Sequence, residues 1–157
     1  MKEISAGIII YRKTKEGIKF LLLYHGGGYW NFPKGKIEAE EKSFQTAVRE
    51  IREETGLNRS DLKFDQFFKA YEKFTFWRPA KRNSEKIENK PQRVFKTVIF
   101  YLAETKRKAI KISETKEGQP HEGFSWFTYR EAMKVLSKHK ESQRILTQAN
   151  EFFRRKV

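Results

Sequence analysis

Residues 35–57 read GKIEAEEKSFQTAVREIREETGL and hold six of the 20 acidic residues of the 157-residue chain. Four apolar residues recur at helical spacing within this segment: Phe44, Ala47, Val48 and Ile51. The pattern predicts an amphipathic helix with a single apolar stripe, and Gly56 is the residue type that commonly ends a helix. The segment is therefore expected to pack one side of a helix against a core.

The acids Glu50, Glu53 and Glu54 occupy three of five consecutive positions. Residues three and four apart share a helix face, so we expect the three carboxylates together, away from the apolar stripe. Like charges at this spacing destabilise a helix by roughly 0.2–0.5 kcal/mol per pair, which a bound cation would relieve. Mg²⁺ is the leading candidate and Mn²⁺ suits the same oxygens, whereas Zn²⁺ is disfavoured without His or Cys in the cluster. The alternative is a charged face that only meets solvent.

The composition of the chain limits its class and its partners. A net charge of +14 attracts polyanions such as nucleotides, nucleic acid or anionic lipid. The chain has no cysteine, which excludes disulfides and thiolate metal sites and fits a cytoplasmic location. No apolar run reaches the length of a membrane span, and the short apolar N-terminal run predicts a buried strand, so no membrane partner is expected.

Strands and turns dominate the remainder of the chain. The runs AGIIIYR and KFLLLYH, separated by a turn that contains Gly17, predict a hairpin. Further strands are predicted for the runs KFDQFFKAYEKFTFW, VFKTVIFYLAE and FSWFTY. A long basic loop is predicted for residues 78–93, and the apolar residues of 130–155 have helical spacing. The order β-β-α-β-β-β-α predicts one mixed α/β domain over residues 1–157.

Residues 35–57 resemble the signature of the Nudix hydrolases without a gap. Gly35, Glu41 and the run 49–57 fill every fixed position of that pattern. The resemblance implies the Nudix fold, an α/β/α sandwich with a central mixed sheet. It also implies metal-dependent hydrolysis of a nucleoside diphosphate linked to another group.

The same resemblance implies roles for the residues of this helix. It places metal ligands at Glu50, Glu53 and Glu54 and at the backbone of Gly35, and it gives Arg49 the task of orienting the carboxylates. A bound metal would neutralise pyrophosphate oxygens and activate water. Glu54 and Glu50 are both candidates for the base that takes the water's proton, and the choice between them stays open.

A later loop, ETKEGQPHEGFSW, offers further candidates for a base or a fourth ligand. KEGQP resembles a loop of the nucleotide-sanitising Nudix enzymes and favours Glu117. HEGFSW resembles the loop before the tryptophan in dinucleoside tetraphosphatases and favours His121 or Glu122. Pro120 stands where that second pattern has an acid, so the sequence leaves the assignment open.

Stretches at the entry to residues 35–57 and elsewhere in the chain resemble the asymmetrical bis(5′-nucleosyl)-tetraphosphatases within the Nudix family. The stretches are SAGIIIYR, YWNFPKGKIE, FKTVIFYLAE and FSWFTYREA. They imply cleavage of diadenosine tetraphosphate to ATP and AMP, with a dinucleoside polyphosphate as the small-molecule partner. Lys34, Lys36 and Lys96 are candidates for phosphate contacts, and Tyr71 and Tyr101 are candidates for stacking on adenine.

Three alternatives remain at this stage. The basic loop suits an RNA 5′-pyrophosphohydrolase, with RNA as a less favoured partner. KEGQP suits a pyrophosphatase that removes damaged nucleoside triphosphates. A non-catalytic Nudix-fold binding module is disfavoured because all the box glutamates are present. The protein is expected to be a monomer or a homodimer, and the sequence does not choose between them.

Overall fold

The computed structural model describes residues 1–83, 86–87, 90–111 and 123–155. The strands are β1 (Lys2–Thr14), β2 (Gly17–Tyr24), β3 (Trp30–Asn31), β4 (Lys34–Lys36), β5 (Leu62–Phe64), β6 (Ala70–Arg78), β7 (Arg82–Asn83), β8 (Lys86–Ile87), β9 (Gln92–Thr105) and β10 (Gly123–Thr128). The helices are α1 (Ser43–Thr55), α2 (Tyr129–Val135) and α3 (Lys140–Arg155), with a 3-10 turn at Arg59–Asp61.

One large mixed sheet organises the molecule. Its strand order is β10-β2-β1-β9-β5, with β3 paired to β2, β4 to β1 and β6 to β9. The central pair, β1 and β9, is parallel over ten registered positions, and every other pairing is antiparallel. This architecture confirms the mixed α/β prediction.

The hairpin predicted around Gly17 is present. β1 and β2 pair antiparallel with Thr14 opposite Gly17, whose φ of 99° lies in the region that glycine adopts without strain. The Thr14 hydroxyl donates a 2.7 Å hydrogen bond to the Gly17 carbonyl. The apolar runs on either side are fully buried, and each such Ile or Leu stabilises the fold by roughly 1.5–3 kcal/mol.

Helices cover both faces of the sheet. On the face that we call the α3 face, α2 and α3 pack on a core that includes Ile9, Val98 and Phe100. On the opposite face, which we call the α1 face, α1 packs through Ala47 and Ile51 on a second core. Because side chains alternate along a strand, these two cores show which face any other strand residue occupies.

α1 begins and ends as its sequence indicates. The Gln45 side chain accepts a hydrogen bond from the Lys42 backbone N–H at 3.0 Å, which satisfies one free donor at the start. At the end, Gly56 adopts φ 74° and donates its N–H to the Arg52 carbonyl. This left-handed cap is the one that glycine makes most easily.

The basic segment 78–93 is more ordered than the predicted long loop. β6 continues to Arg78, β9 already begins at Gln92, and β7 and β8 form a small two-stranded sheet between them. The strands extend this far because Phe76 stands opposite Val94, which is fully buried. Among the described residues, no helix is both long and apolar enough to span a membrane.

Candidate active site

Glu50 and Glu54 border the apolar stripe of α1 instead of lying opposite to it, so the sequence prediction is wrong for these two residues. Glu53, in contrast, lies about 160° from Ile51, on the side that was predicted. At 3.6 residues per turn, Glu50 and Glu54 lie only about 100° and 60° around the helix from Ile51. Glu50 is 9% exposed, whereas Ile51 is fully buried. The carboxylates of Glu50 and Glu54 are therefore drawn toward the edge of the sheet, where burial strengthens electrostatic interactions.

Gly35 on β4 makes room for the Glu50 carboxylate. A Cβ atom at position 35 would lie 2.0 Å from Glu50 Cδ and 2.3 Å from both of its oxygens. Gly35 stands opposite Ala6, which belongs to the core under α1. Any side chain at this strand position would therefore expel the carboxylate from its place against the backbone.

Glu54 lies beside the same strand and holds its proton unusually strongly. Its pKa is raised from 4.5 to about 8, mainly by burial. The negative charge of Glu50 is the second cause of this rise, and that of Glu53 is a smaller one. A hydrogen bond from the Lys34 backbone and the charge of Lys34 act in the opposite direction. A buried carboxyl that is surrounded by other carboxylates favours a cation as its neighbour.

Arg49 ties the acidic residues together. Its Nη1 lies 2.7 Å from Glu50 Oε1 and 3.3 Å from Glu53 Oε2. Its Nε and Nη2 donate to the two oxygens of Glu41 at 2.7 and 2.9 Å, and Nη2 also donates to the Lys36 carbonyl. This geometry fits the role that the family resemblance implied for Arg49, since it fixes where two of the carboxylates point.

Glu41 has a structural role that the sequence reasoning did not assign. The two-pronged contact with Arg49 is the main cause that lowers the pKa of Glu41 to about 2. Glu41 also accepts hydrogen bonds from the Glu38 backbone and the Thr46 hydroxyl. Its fixed place in the Nudix pattern, eight residues before Arg49, was the signal that could have identified it.

The donors in this region fit a hard divalent cation. Carboxylate and carbonyl oxygens from Glu50, Glu53, Glu54 and Gly35 are the ligand type that Mg²⁺ and Mn²⁺ prefer. Within the described ranges, no three His, Asp or Glu side chains converge closely enough to form a ready metal site. Arg49 Nη1 already bridges Glu50 and Glu53, so the assignment of metal ligands stays a prediction.

The three candidate lysines gather on the α3 face. Lys36 and Lys34 stand opposite Ser5 and Gly7 on β1, and Lys96 pairs with Glu3. The Lys36 Nζ lies 3.7 Å from Glu3 Oε1. Burial, and then the positive charge of Lys34, lowers the pKa of Lys96. Two of the three lysines thus stand on β4, the strand that also carries Gly35, and we call the surface that Lys34, Lys36 and Lys96 share on the α3 face the cationic cleft.

Two residues at this cleft were missed by the sequence reasoning. Glu72 on β6 lies near Lys34, and its pKa is raised mainly by burial. Tyr29 lies between the rings of His25 and His139, at centroid distances of 5.2 and 4.8 Å. The glycine-rich loop before Tyr29 was the only sequence signal for its position.

The two candidate tyrosines lie on the other side of the sheet, on the α1 face. Tyr71 stands opposite Ile99 and is 44% exposed. The hydroxyl group of Tyr101 is 2.6 Å from that of Ser43, and its ring packs edge-on against Phe44. The structure therefore brings Lys34, Lys36 and Lys96 together but separates them from both tyrosines. Glu117, His121 and Glu122 lie outside the described residues.

Comparisons with known proteins agree with this geometry. The NUDIX domain model matches residues 1–149. The asymmetrical bis(5′-nucleosyl)-tetraphosphatase of Mus musculus is 31% identical over 156 residues, covering 94% of this chain and 93% of the relative. The Sus scrofa protein of the same name is 30% identical with the same coverage.

The fold is also similar to that of a solved structure. A crystal structure of a C. elegans Ap4A hydrolase in a binary complex superposes with a TM-score of 0.74 at 24% identity. The alignment covers 96% of this chain and 97% of that one. At this level of identity the likeness concerns the fold alone.

Proposed function

Given that this chain belongs to the Nudix hydrolase family, we propose that it hydrolyses diadenosine tetraphosphate asymmetrically, with Mg²⁺, to ATP and AMP. Support comes from two relatives of that activity, each similar over 94% of this chain. One observation carries the proposal. The short strand β4 lies beside the carboxylates that Arg49 orients, and the same strand contributes two lysines to the cationic cleft. β4 presents Gly35 to Glu50 and presents Lys34 and Lys36 to the cleft.

The acidic side of β4 would hold the cofactor. Glu50, Glu53, Glu54 and the Gly35 carbonyl are the proposed ligands, and Arg49 keeps two of these side chains oriented. Mg²⁺, when bound, would neutralise phosphate oxygens and lower the pKa of a coordinated water. Glu54 or Glu50 would accept the proton of the attacking water. Mn²⁺ is expected to replace Mg²⁺ at the same oxygens.

The cationic side of β4 would hold the phosphate chain. Lys34, Lys36 and Lys96 bring three positive charges to one cleft, and a tetraphosphate bridge carries about four negative charges. Water would add to a phosphorus atom near one end of the bridge, the P–O bond to the other phosphates would break, and AMP and ATP would leave. Tyr29 borders this cleft, so we propose it for adenine stacking ahead of Tyr71 and Tyr101.

A substrate panel with product analysis tests this proposal. Diadenosine tetraphosphate, 8-oxo-dGTP and 5′-triphosphorylated RNA are each incubated with Mg²⁺, and the products are separated by anion-exchange chromatography. We expect ATP and AMP in equal amounts from the first substrate, at least about 100-fold more efficiently than turnover of the others. Two ADP molecules, or a preference for either other substrate, would contradict the assignment.

Matched variants link the activity to α1. Glu53→Gln removes one charge from the proposed ligand set and is expected to lower kcat by on the order of 100-fold. Glu151→Gln makes the same chemical change at an exposed position of α3 and serves as the control. If both variants retain the wild-type kcat, Glu53 has no part in the reaction.

A further inference from the structure

Part of the α1 face of the sheet is not covered by α1. Four large apolar side chains there are exposed: Ile4 (42%), Tyr71 (44%), Trp77 (67%) and Phe95 (47%). They belong to three adjacent strands, β1, β6 and β9. A monomeric protein rarely exposes so many large apolar side chains in one contiguous area without a use for them.

Strand register places these side chains on one surface. Lys2 pairs with Phe95, and Phe95 in turn stands opposite Thr75 of β6. Trp77 stands opposite Arg93 in the next row. Ala6 and Tyr101 pack under α1. Ile4 is two positions from Ala6, and Phe95 is six positions from Tyr101. Because side chains alternate along a strand, Ile4 and Phe95 therefore lie on the α1 face as well.

The acids of these strand segments are confined to the α3 face, whereas cations occupy both faces. Strand alternation puts Lys2, Lys73 and Arg93 on the same face as the exposed apolar residues. Arg93 Cζ lies 5.3 Å from the centre of the Phe95 ring. The acids of the same strand segments, Glu3 and Glu72, lie on the α3 face. We call the surface formed by Lys2, Ile4, Lys73, Trp77, Arg93 and Phe95 the open face.

We infer that the open face binds single-stranded nucleic acid, a function beyond the proposed hydrolysis of a dinucleotide. Trp77 and Phe95 provide flat rings on which unpaired bases stack, and Lys2, Lys73 and Arg93 provide cations for the phosphates between them. Same-face residues are about 6.7 Å apart along a strand and about 4.8 Å apart across strands, distances that a flexible single strand can follow. The net charge of +14 attracts such a polyanion from a distance.

The charges argue against another copy of this chain as the occupant. A two-fold interface would place the same surface on both partners. Lys2, Lys73 and Arg93 would then approach the same cations of the partner, with no acid of these strand segments on that face to offset them. A nucleic acid duplex fits less well than a single strand because its bases are already stacked and paired.

Fluorescence anisotropy with a labelled single-stranded RNA of about 12 nucleotides tests the inference. The RNA carries a 5′-hydroxyl group and Mg²⁺ is omitted, so the hydrolytic site is not engaged. We expect Trp77→Ala and Phe95→Ala each to weaken binding by on the order of tenfold. Phe67→Ala, at a turn residue that is 92% exposed and off the open face, is the matched control and is expected to bind within about twofold of wild type.

Charge variants and competitors sharpen the test. Lys73→Gln and Arg93→Gln should each reduce the slope of log K against log salt by about 1. Trp77→Phe should restore most of the binding that Trp77→Ala loses, because it keeps a ring. Binding of a DNA strand of the same length shows whether the open face prefers RNA or DNA. A preference for either one supports the open face as a site for single strands. A duplex of the same length should compete poorly.

Three results would overturn the inference. The first is that Phe67→Ala weakens RNA binding as much as Trp77→Ala does. The second is that the duplex competes for the protein as well as the single strand does. The third is that the open-face variants lose binding to anionic phosphatidylserine vesicles but bind RNA as the wild type does. Diadenosine tetraphosphate hydrolysis is measured on each variant and is expected to stay at the wild-type rate. That activity shows that the variants are folded, and it separates failure of this inference from failure of the proposed function.

Discussion

A single methyl group at position 35 should inactivate the enzyme while leaving it folded. In Gly35→Ala, the new Cβ would lie 2.0 Å from Glu50 Cδ, and ordinary contact begins at 3.4 Å, so the carboxylate must retreat by about 1.4 Å. Displacement of a catalytic group by about 1 Å can cost roughly 100-fold in rate. We therefore expect kcat for diadenosine tetraphosphate to fall at least about 100-fold.

The cost to stability should be much smaller. The clashing atoms are the far end of a flexible side chain, and an off-rotamer side chain costs roughly 0.5–1.5 kcal/mol. Arg49 retains both of its contacts with Glu41 when Glu50 moves. Thermal denaturation should therefore show a free energy of unfolding within about 2 kcal/mol of wild type.

A double-mutant cycle identifies the cause. Glu50→Ala removes the clashing atoms, so adding Gly35→Ala to it should lower kcat by less than about threefold and should not lower the melting temperature. Gly123→Ala adds the same methyl group where nothing lies within 4 Å and serves as the control. If Gly35→Ala lowers kcat by the same factor with and without Glu50, the clash with this carboxylate is not the mechanism.

Three further changes have defined outcomes. Glu41→Gln removes a carboxyl whose pKa is lowered from 4.5 to about 2 by Arg49. The ionised carboxylate therefore stabilises the folded state fully above pH 4.5, and this stabilisation is lost as the pH falls toward 2. Acid titrations monitored by circular dichroism should therefore show a shallower loss of stability for this variant between those values, and an unchanged profile would refute the contact. Lys96→Met should raise KM for diadenosine tetraphosphate about tenfold with kcat nearly unchanged in steady-state assays, whereas a loss confined to kcat would place Lys96 outside substrate binding. Gly56→Ala forces a side chain into φ 74° with its Cβ 3.2 Å from Lys111 Cβ, so the free energy of unfolding in urea should fall by at least about 1 kcal/mol, and an unchanged midpoint would contradict the strained cap.

Local features of the site were readable from the sequence because they depend on short-range geometry. The apolar stripe of α1, its glycine cap and the Gly17 hairpin follow from residue spacing and turn chemistry alone. Even the burial of Glu50 was implied, since it follows Ala47 of the apolar stripe by three residues and lies about 60° away from it on the helix. The contact between Glu41 and Arg49 was not readable as geometry, because it depends on the path of a loop.

The division of the site between two faces was only partly readable. Lys96 and Tyr101 are five positions apart in one strand, and an odd separation already puts them on opposite faces. Tyr71 could not be placed in this way, because its face depends on the register of β6 against β9. Register between strands that are distant in sequence is set by the whole core, so residue spacing within one strand does not reveal it.

The parallel pairing of β1 with β9 also bears on how the protein is made. β1 leaves the ribosome well before its partner, because β9 follows it in the chain by about 90 residues. Contacts this distant in sequence form slowly, because a long loop must close before they are gained. The β1–β2 hairpin and α1 can form early, whereas Lys96, the open face and the floor of the cleft are assembled only when β9 docks. An incompletely synthesised chain should thus lack both activity and binding, and the newly made strand β1 depends on β2 and β4 to protect it from aggregation until β9 arrives.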